Sequence, residues 1–312
     1  MYVTDAVAAL DCGSNSTRLL IEDANGVALR REMRITRLAQ GVDASGRLVD
    51  DALARSYDVL REYRGYMDEA GVQRGLLVAT SAVRDASNGD LFLAQAHLIT
   101  GVPGEVLSGA QEASYSYAGA TSDLAPDSRT TVILDIGGGS TEMAMMLGTT
   151  MFSYSMQLGC VRVTERALGR DAVTPEREVA ARKMIDFELD RAFGAVPAFA
   201  TVAGQVRLVG LAGTIATLAQ LDSGLSVYDR DVVHHRRLSR ATVQHWRDRL
   251  ASESPEVRLT HPGMVVGRED VLVAGLYVLD EVMQRLAVDE LMSSENDILN
   301  GITASLSSGH RA

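Results

Sequence analysis

Short apolar segments alternate along the chain with longer segments in which apolar side chains recur at helical spacing. The short segments are rich in Val, Ile and Leu and are bounded by Gly, Asp or Asn, a pattern that predicts buried β-strands. Such strands are predicted at residues 6–11, 17–22, 75–80, 104–107, 131–135, 141–147, 151–157 and 207–211.

The longer segments predict helices. In residues 50–67, Leu53, Leu60 and Met67 recur on one helical face behind two aspartates, which favour a helix start. Further helices are predicted at residues 88–99, 110–120, 175–193, 213–221, 239–250 and 269–287. Strands that alternate with helices indicate α/β layers with mixed or parallel sheets.

One nine-residue pattern occurs twice, as LDCGSNSTR at 10–18 and as LDIGGGSTE at 134–142. Asp, Gly, Ser and Thr occupy the same places in both copies, while Arg18 stands where Glu142 stands. The spacing between the copies is far longer than the period of a solenoid repeat. The pattern therefore indicates two copies of one domain architecture.

The length of the chain also favours two domains. It has 312 residues, of which 46% are hydrophobic, and this is enough for two cores. The polar, proline-containing segment 121–130 precedes the second copy of the pattern and is the expected boundary. We therefore predict an N-terminal domain at 1–125 and a C-terminal domain at 126–297, with a helix at 298–312 joined to the first domain.

The composition excludes several classes of protein. A net charge of −11 argues against a nucleic-acid-binding surface, which needs an excess of Lys and Arg. The longest apolar run, at 271–279, is about half of a bilayer span, so no membrane segment is expected. No basic region precedes the apolar part of the N-terminus, so we expect no signal peptide and a cytoplasmic location.

The cysteines and histidines do not indicate a zinc site. Cys12 and Cys160 lie far apart and lack CxxC spacing, so both are predicted to be small buried residues. The adjacent pair His234 and His235 is predicted to lie in a solvated turn rather than to bind a metal.

The second copy of the repeated pattern indicates a phosphate-binding turn. Three glycines, Gly137, Gly138 and Gly139, permit positive φ and bring successive backbone N–H groups towards one anion. A plain β-hairpin turn is the alternative, but it would not require an acid on both sides. Asp135 and Glu142 stand at the mouths of adjacent strands, where carboxylates can hold Mg²⁺ beside phosphate oxygens.

The first copy supplies side chains in place of glycines. Ser14, Asn15 and Ser16 offer side-chain donors, and Arg18 offers a guanidinium. The two copies resemble the actin-like (ribonuclease H-like) superfamily, in which two related halves each present such a turn across a cleft. The implied fold is two α/β domains with mixed sheets, flanked by helices, and an interdomain cleft. Kinases, ATPases and phosphatases share this fold, so the fold alone does not choose among them.

Three further stretches narrow the resemblance: ATSAVRDASNGDLFL at 79–93, VLSGAQEASYSYAGA at 106–120 and LVGLAGTIATLAQL at 208–221. Together with the two turns, they resemble the signatures of the exopolyphosphatase and guanosine pentaphosphate phosphohydrolase family, in the same order along nearly the whole chain. The resemblance implies hydrolysis of a terminal phosphoanhydride, with Mg²⁺ or another divalent cation as cofactor.

The resemblance also implies roles for individual residues. Glu112, in SGAQEA, matches the catalytic glutamate that polarises the attacking water, and Asp135 and Glu142 match the metal ligands. The implied phosphate contacts are Asn15, Ser16, Arg18, Arg84, Gly137, Gly138, Gly139 and Ser140. For Gly213 and Thr214, which lie where actin-like kinases have an adenosine-binding turn, both a phosphate contact and a simple helix start are open.

The chain departs from the family pattern at three places. Gln111 stands where the family has a first acid, which leaves Glu112 as the one carboxylate of its motif. Leu299 stands where longer relatives have arginine. The sequence ends at Ala312 without the additional C-terminal helical domain of the larger members, so we expect short polyphosphates as substrates.

The leading hypothesis is an exopolyphosphatase that releases orthophosphate from inorganic polyphosphate. Removal of the 5′-terminal phosphate of guanosine pentaphosphate is the close alternative, because both substrates present the same terminal group. An actin-like kinase would need a catalytic Asp and an adenosine pocket, and a non-catalytic phosphate or nucleotide sensor would need no base. The expected partners are these ligands, without nucleic acid or membrane, and a homodimer is one expected assembly.

A basic stretch, LRREMRITR at 29–37, carries Arg30, Arg31, Arg34 and Arg37. Two interpretations are open: a track that extends the anion site outward, and the solvated face of a strand or hairpin. Arginine is the default cation of this chain, so we favour the strand face.

Overall fold

The computed structural model of the protein describes residues 5–309. The chain divides into two compact units. The first unit holds the residues up to Ser122 together with those from Asp297 onward, and the second unit is Asp123–Asn296. The helix predicted at 298–312 belongs to the first unit as far as it is described, and residues 310–312 lie outside the described part.

Two sheets account for all strands of the described residues. The strands are β1 (Val7–Cys12), β2 (Ser16–Glu22), β3 (Ala28–Ile35), β4 (Arg74–Ala79), β5 (Gly104–Val106), β6 (Thr130–Ile136), β7 (Thr141–Leu147), β8 (Thr150–Met156), β9 (Val206–Leu211), β10 (Arg237–Ser239) and β11 (Glu290–Ser293).

The helices range from single turns to 21 residues. They are α1 (Val42–Ser45), α2 (Asp50–Glu69), α3 (Ser81–Arg84), α4 (Gly89–Thr100), α5 (Gly109–Thr121), α6 (Cys160–Val163), continued by a π-turn (Thr164–Leu168), α7 (Pro175–Ala195), α8 (Ala198–Thr201), α9 (Ala212–Ser223), α10 (Arg230–Val233), α11 (Arg240–Ala251), α12 (Pro255–Arg258), α13 (Leu272–Arg285) and α14 (Ile298–Ser308). Within residues 5–309, none of them is long and apolar enough to cross a membrane.

The sheet of the first unit has the order β3-β2-β1-β4-β5. β1, β2 and β3 form an antiparallel meander, β4 lies parallel to β1, and β5 lies parallel to β4. Alternate residues of β1 face opposite sides, as strand geometry requires. Ala8 and Leu10 join a core with side chains of α2 and α4, whereas Ala9 joins a core with α5 and α14. Helices therefore cover both faces of this sheet.

The sheet of the second unit has the order β10-β11-β9-β6-β7-β8. β6, β7 and β8 form an antiparallel meander, β9 is parallel to β6, and β11 is parallel to β9. These five strands repeat the arrangement of the first sheet, and β10, which is antiparallel to β11, is the one strand without a counterpart there. Side chains of α7, α9, α11 and α13 complete its core. The repeated strand order and the covering helices confirm the predicted fold class of two actin-like α/β domains with mixed sheets.

Three strands were not predicted by the pattern of apolar residues. β3 is an edge strand in which charged residues are as many as apolar ones, because one side of it faces solvent. β10 and β11 are three and four residues long, which is too short for an alternation to be recognised.

Two glycines bring α5 and α14 into close contact. A Cβ on Gly119 would lie 1.8 Å from the carbonyl oxygen of Asp297, and a Cβ on Gly301 would lie 2.1 Å from that of Tyr115. The obstructing atoms belong to the backbone and cannot rotate away. The contact therefore requires glycine on both helices.

We predict that Gly119→Ala forces α5 and α14 apart and destabilises the first unit by about 1–3 kcal/mol, the range for overpacked interiors. Gly65→Ala is the matched control, because Gly65 lies exposed in α2 with no atom near the new Cβ. It should raise stability by about 0.5–1 kcal/mol, since alanine favours a helix. Chemical denaturation followed by circular dichroism measures both changes, and equal effects of the two substitutions would contradict the packing argument.

Candidate active site

The turn at 137–140, between β6 and β7, is held by the segment that follows β8. Gly137 donates its N–H to the carbonyl oxygen of Ser140 at 3.0 Å, which closes the turn. The carbonyl oxygens of Gly137 and Gly138 accept N–H groups of residues 160–162 at 2.9–3.1 Å. The carbonyl oxygen of Gly139 accepts the Nε–H of Arg162, which belongs to the same segment, at 2.8 Å. All three glycine carbonyls therefore point towards α6.

The direction of these carbonyls fixes the direction of the amides. In a planar trans peptide, the C=O of one residue and the N–H of the next point to opposite sides. The N–H groups of Gly138, Gly139 and Ser140 therefore face away from α6, together on one side of the turn. Successive N–H groups arranged in this way can bind an anion.

A fourth glycine allows the close approach of this segment to the turn. A Cβ on Gly159 would lie 2.3 Å from the carbonyl oxygen of Gly138 and 2.6 Å from the nitrogen of Gly139. Only glycine fits between the two backbone stretches. Gly159 was not among the predicted site residues, and its place in the fold shows that it shapes the turn.

The turn between β1 and β2 repeats the arrangement. Gly13 donates to the carbonyl oxygen of Ser16 at 3.0 Å, the same bond that closes the second turn. The carbonyl oxygens of Ser14 and Asn15 accept N–H groups of residues 36–39, after β3, at 2.9–3.1 Å. The N–H groups of Asn15 and Ser16 therefore face away from that segment. The sequence repeat is a structural repeat down to individual hydrogen bonds.

Side chains of the first turn differ in their hydrogen bonds. The hydroxyl of Ser14 lies 3.0 Å from that of Ser81 in α3. Asn15 is buried, and among the described residues its side-chain Nδ2 has no hydrogen-bond partner. A buried amide group without a partner costs about 1–3 kcal/mol. An anion at this turn would satisfy it, which supports the prediction that Asn15 contacts phosphate.

Arg18 is held by two carboxylates. Its guanidinium lies 2.6 Å from Oδ2 of Asp11, the residue opposite it in the β1–β2 pair, and 2.6 Å from Oδ2 of Asp297. Burial raises the pKa of Asp11 above its ordinary value, Arg18 acts in the opposite direction, and Asp297 adds to the rise. The predicted contact of Arg18 with phosphate stays a prediction, and any such contact is made by a side chain already fixed in place.

Asp11 is a candidate site residue that the sequence reasoning did not assign. It occupies the place of Asp135 in the repeat, it is buried, and its Oδ1 has no hydrogen-bond partner in the described chain. The repeat itself contains the signal, because Asp11 and Asp135 coincide in the two copies.

The hydrogen bonds at the start of α5 explain how the fold accommodates Gln111 where the family has an acid. The Ser108 hydroxyl accepts the N–H of Gln111 at 3.3 Å, and Oε1 of Gln111 accepts the N–H of Ser108 at 3.0 Å. This is a capping box, a motif that accepts Gln as well as Glu at its third helical position. The residue that departs from the family pattern therefore caps the helix.

Glu112 follows in the first turn of α5 and is 7% exposed. Its Oε2 lies 3.5 Å from a guanidinium nitrogen of Arg84, which itself donates to the carbonyl oxygen of Leu107 at 2.7 Å. The carboxylate therefore lies at the positive end of the helix dipole and beside a guanidinium. The structure thus brings together the predicted catalytic glutamate and one of the predicted phosphate-binding arginines.

Asp135 and Glu142 stand directly opposite each other in the β6–β7 pair, so their side chains project from the same face of the sheet. Both are buried, and Oε1 of Glu142 accepts the hydroxyl of Ser155 at 2.6 Å. Two adjacent carboxylates beside a turn of N–H groups fit a hard divalent cation such as Mg²⁺, which prefers oxygen ligands. The pair is therefore chemically suited to the predicted metal site.

The turn between β9 and α9 is adjacent to the glycine turn, because Leu211 pairs with Asp135 across parallel strands. A Cβ on Gly213 would lie 1.9 Å from the guanidinium of Arg268, so this guanidinium lies flat against the glycine. Thr214 is buried, with 2% of the residue exposed. Its predicted phosphate contact stays a prediction, and Arg268 covers Gly213.

Both cysteines are buried, as predicted. Burial raises the pKa of the Cys160 thiol to about 11 and that of Cys12 well above its ordinary value. Neither is therefore a thiolate at neutral pH, which agrees with their interpretation as packed residues.

The basic stretch on β3 is paired with acids. Arg34 contacts Glu32 and Glu62 at 2.9 and 2.6 Å, and Arg30 contacts Glu32 at 3.2 Å. Arg31 lies 3.7 Å from Asp297. These pairs support the strand-face interpretation over a track for anions.

Two units that share the order of five strands, each with a turn that presents backbone N–H groups, define the predicted duplicated actin-like α/β fold. The chain belongs to the Ppx/GppA phosphatase family, which matches residues 21–310. The family resemblance read from the motifs is thereby confirmed.

Known proteins of similar sequence and structure support this family assignment. Exopolyphosphatase 2 of Mycobacterium tuberculosis (strain H37Rv) is 39% identical, over 96% of this chain and 98% of its own. The crystal structure of an exopolyphosphatase-like protein is 33% identical with a TM-score of 0.91, over 97% of this chain and 99% of its own. That of the Aquifex aeolicus Ppx/GppA family member is 28% identical with a TM-score of 0.79, over 99% of this chain and all of its own.

We predict that Gly159→Ala displaces the glycine turn and weakens the binding of a non-hydrolysed polyphosphate analogue about tenfold or more, because charge-assisted hydrogen bonds to the turn are lost. Calorimetric titration measures the affinity. Gly194→Ala in α7, where the new Cβ meets no atom, is the control and should bind as the wild type does. Unchanged affinity in Gly159→Ala would show that the turn does not hold the anion.

Proposed function

We propose that the protein hydrolyses the terminal phosphoanhydride of linear inorganic polyphosphate and releases orthophosphate. The observation that carries this proposal is the pair of matched turns, each with its N–H groups on one side, in a chain 39% identical to an exopolyphosphatase over 96% of its length. Backbone amides at each turn suit a ligand that offers many phosphoryl oxygens.

Each turn has the task of binding phosphoryl oxygens. In the second unit the donors are the N–H groups of Gly138, Gly139 and Ser140, and in the first unit they are those of Asn15 and Ser16. Phosphoryl transfer passes through a loose transition state with charge on the equatorial oxygens, so fixed donors supply much of the catalysis. The segments behind the turns keep these donors in place.

Glu112 acts as the base. Its carboxylate orients a water molecule and accepts one proton from it as the water oxygen attacks the terminal phosphorus. The P–O bond to the bridging oxygen breaks, and the electron pair leaves with the shortened polyphosphate. Arg84 holds Glu112 in position, since the two side chains are 3.5 Å apart.

Asp135 and Glu142 would hold Mg²⁺ or another divalent cation. When bound, the ion neutralises charge on the phosphoryl oxygens. Ser155 donates to Glu142 and so fixes the direction of this carboxylate. A phosphoanhydride has a good leaving group, so the chain needs no separate general acid.

Removal of the 5′-terminal phosphate from guanosine pentaphosphate is the alternative function, because the same turns would receive the same terminal group. The substrate panel separates the two: polyphosphates of defined length, guanosine pentaphosphate and ATP are supplied in turn, and orthophosphate release is measured. Release from polyphosphate at the highest kcat/KM supports the proposal, and release from guanosine pentaphosphate alone would overturn it.

We predict that Glu112→Gln lowers kcat about 10²–10⁴-fold with little change in KM, because the amide preserves the shape but cannot accept the proton. Glu69→Gln, on the exposed surface of α2, is the control and should keep wild-type kcat. Initial rates of orthophosphate release give both constants. A Glu112→Gln protein with wild-type turnover would remove this residue from the mechanism.

A further inference from the structure

The two adjacent histidines of the second unit lie in a turn, as predicted, but they are half-buried and packed against an acid. The imidazole rings of His234 and His235 stack with centroids 3.8 Å apart, and the side chain of His234 is 14% exposed. Nε2 of His234 lies 2.8 Å from Oδ2 of Asp123, and Nε2 of His235 lies 3.5 Å from Oδ1 of the same carboxylate. Two imidazoles thus share one carboxylate.

The backbone at this pair is unusual. His235 has φ +59°, in the left-handed region that residues with a Cβ rarely adopt. In extended backbone, neighbouring side chains point to opposite sides, whereas a left-handed residue turns the chain and lets both rings project the same way. Such strain costs of order 1–3 kcal/mol, and active sites, ligand clamps and switch regions are places where it is retained. The strained residue is one of the two that face Asp123.

One nitrogen in the cluster is buried and unused. Nε2 of His235 is enclosed yet makes no hydrogen bond within the described residues, and its distance to Asp123 is too long for one. Asn296 donates to Oδ2 of Asp123 at 2.9 Å and orients the carboxylate. One ligand atom from each of Asp123, His234 and His235 lies within 4.8 Å of the others.

We propose that Asp123, His234 and His235 form a binding site for a divalent transition-metal ion, with Zn²⁺ as the probe that fits best. Two imidazole nitrogens and one carboxylate oxygen are a donor set that zinc takes with a fourth position left for water. The donor set does not suit Mg²⁺, which prefers oxygen ligands alone. The site is therefore distinct in chemistry from Asp135 and Glu142.

Binding changes the hydrogen bonds of His234. Its Nδ1 now accepts the N–H of Glu295 at 3.0 Å, so its proton lies on Nε2 and is donated to Asp123. The metal replaces this proton, which leaves to solvent, while Nδ1 gains a proton and the bond from Glu295 is lost. His235 needs no such change, because its Nε2 makes no hydrogen bond.

The chain offers a matched control. His261 contacts Glu253 at 2.7 Å, so the second unit also contains a pair of one imidazole and one carboxylate without a second histidine. For the test, purified protein is dialysed against Zn²⁺ in the presence of excess Mg²⁺, which occupies oxygen-only sites. Bound zinc is counted per chain, and Co²⁺ in place of Zn²⁺ reports nitrogen coordination through its visible spectrum.

The expected result is one Zn²⁺ per chain in the wild type and in His261→Asn. Asp123→Asn and His235→Asn should bind it about tenfold more weakly or worse, since each loses a ligand. Asparagine tolerates the left-handed backbone at 235, so this variant should keep the wild-type circular dichroism spectrum. Absence of zinc binding in the wild type, or wild-type affinity in both ligand variants, would overturn the proposal.

Discussion

The hydrogen bonds that tie the turn carbonyls to the segment after the third strand are the constraint on which the rest of the structure depends. They occur twice, at residues 13–16 with segment 36–39 and at residues 137–140 with segment 160–162. Because a peptide plane has two sides, fixing the oxygens on one side commits the N–H groups to the other. In each unit, the meander of three strands brings that segment back to the turn.

The same strands also position acidic residues beside the turns. Asp11 and Asp135 are the next-to-last residues of the first strand of each meander, and their partners across the turn are Arg18 and Glu142. This difference between the copies separates the chemistry of their acids. The first unit pairs its acid with a guanidinium, whereas the second sets two carboxylates side by side, which is an arrangement that favours a cation. The duplicated fold thus contains one arginine-bearing turn and one carboxylate pair.

The position of Glu112, the base in the proposed mechanism, depends on helix capping rather than on the turns. Ser108 and Gln111 satisfy the first amides of α5 and set the direction of the helix. Glu112 then faces Arg84, which is fixed by the carbonyl of Leu107. The cap uses the side chain of residue 111, and a glutamine serves there as well as a glutamate. The carboxylate at 112 takes no part in the cap and is left for the chemical role proposed for it.

Much of this could be predicted from the sequence, because strands buried on both faces and the repeated turn leave local patterns. The alternation of strands and helices and the repeat predicted the fold class, and the glycines predicted a turn that presents amides. The pairing of Arg18 with Asp297 could not be predicted, since 279 positions separate the two. The stacking of His234 and His235 depends on one left-handed residue, for which the histidine at 235 gives no local signal.

The claim that water attacks the terminal phosphorus is tested most directly by hydrolysis of short-chain polyphosphate in H₂¹⁸O, followed by ³¹P NMR. Attack at the terminal phosphorus predicts orthophosphate with one ¹⁸O, together with a polyphosphate shortened by one unit whose new end group has none. Label in the shortened chain would place the attack at the wrong phosphorus, and polyphosphate left intact would contradict the proposed activity.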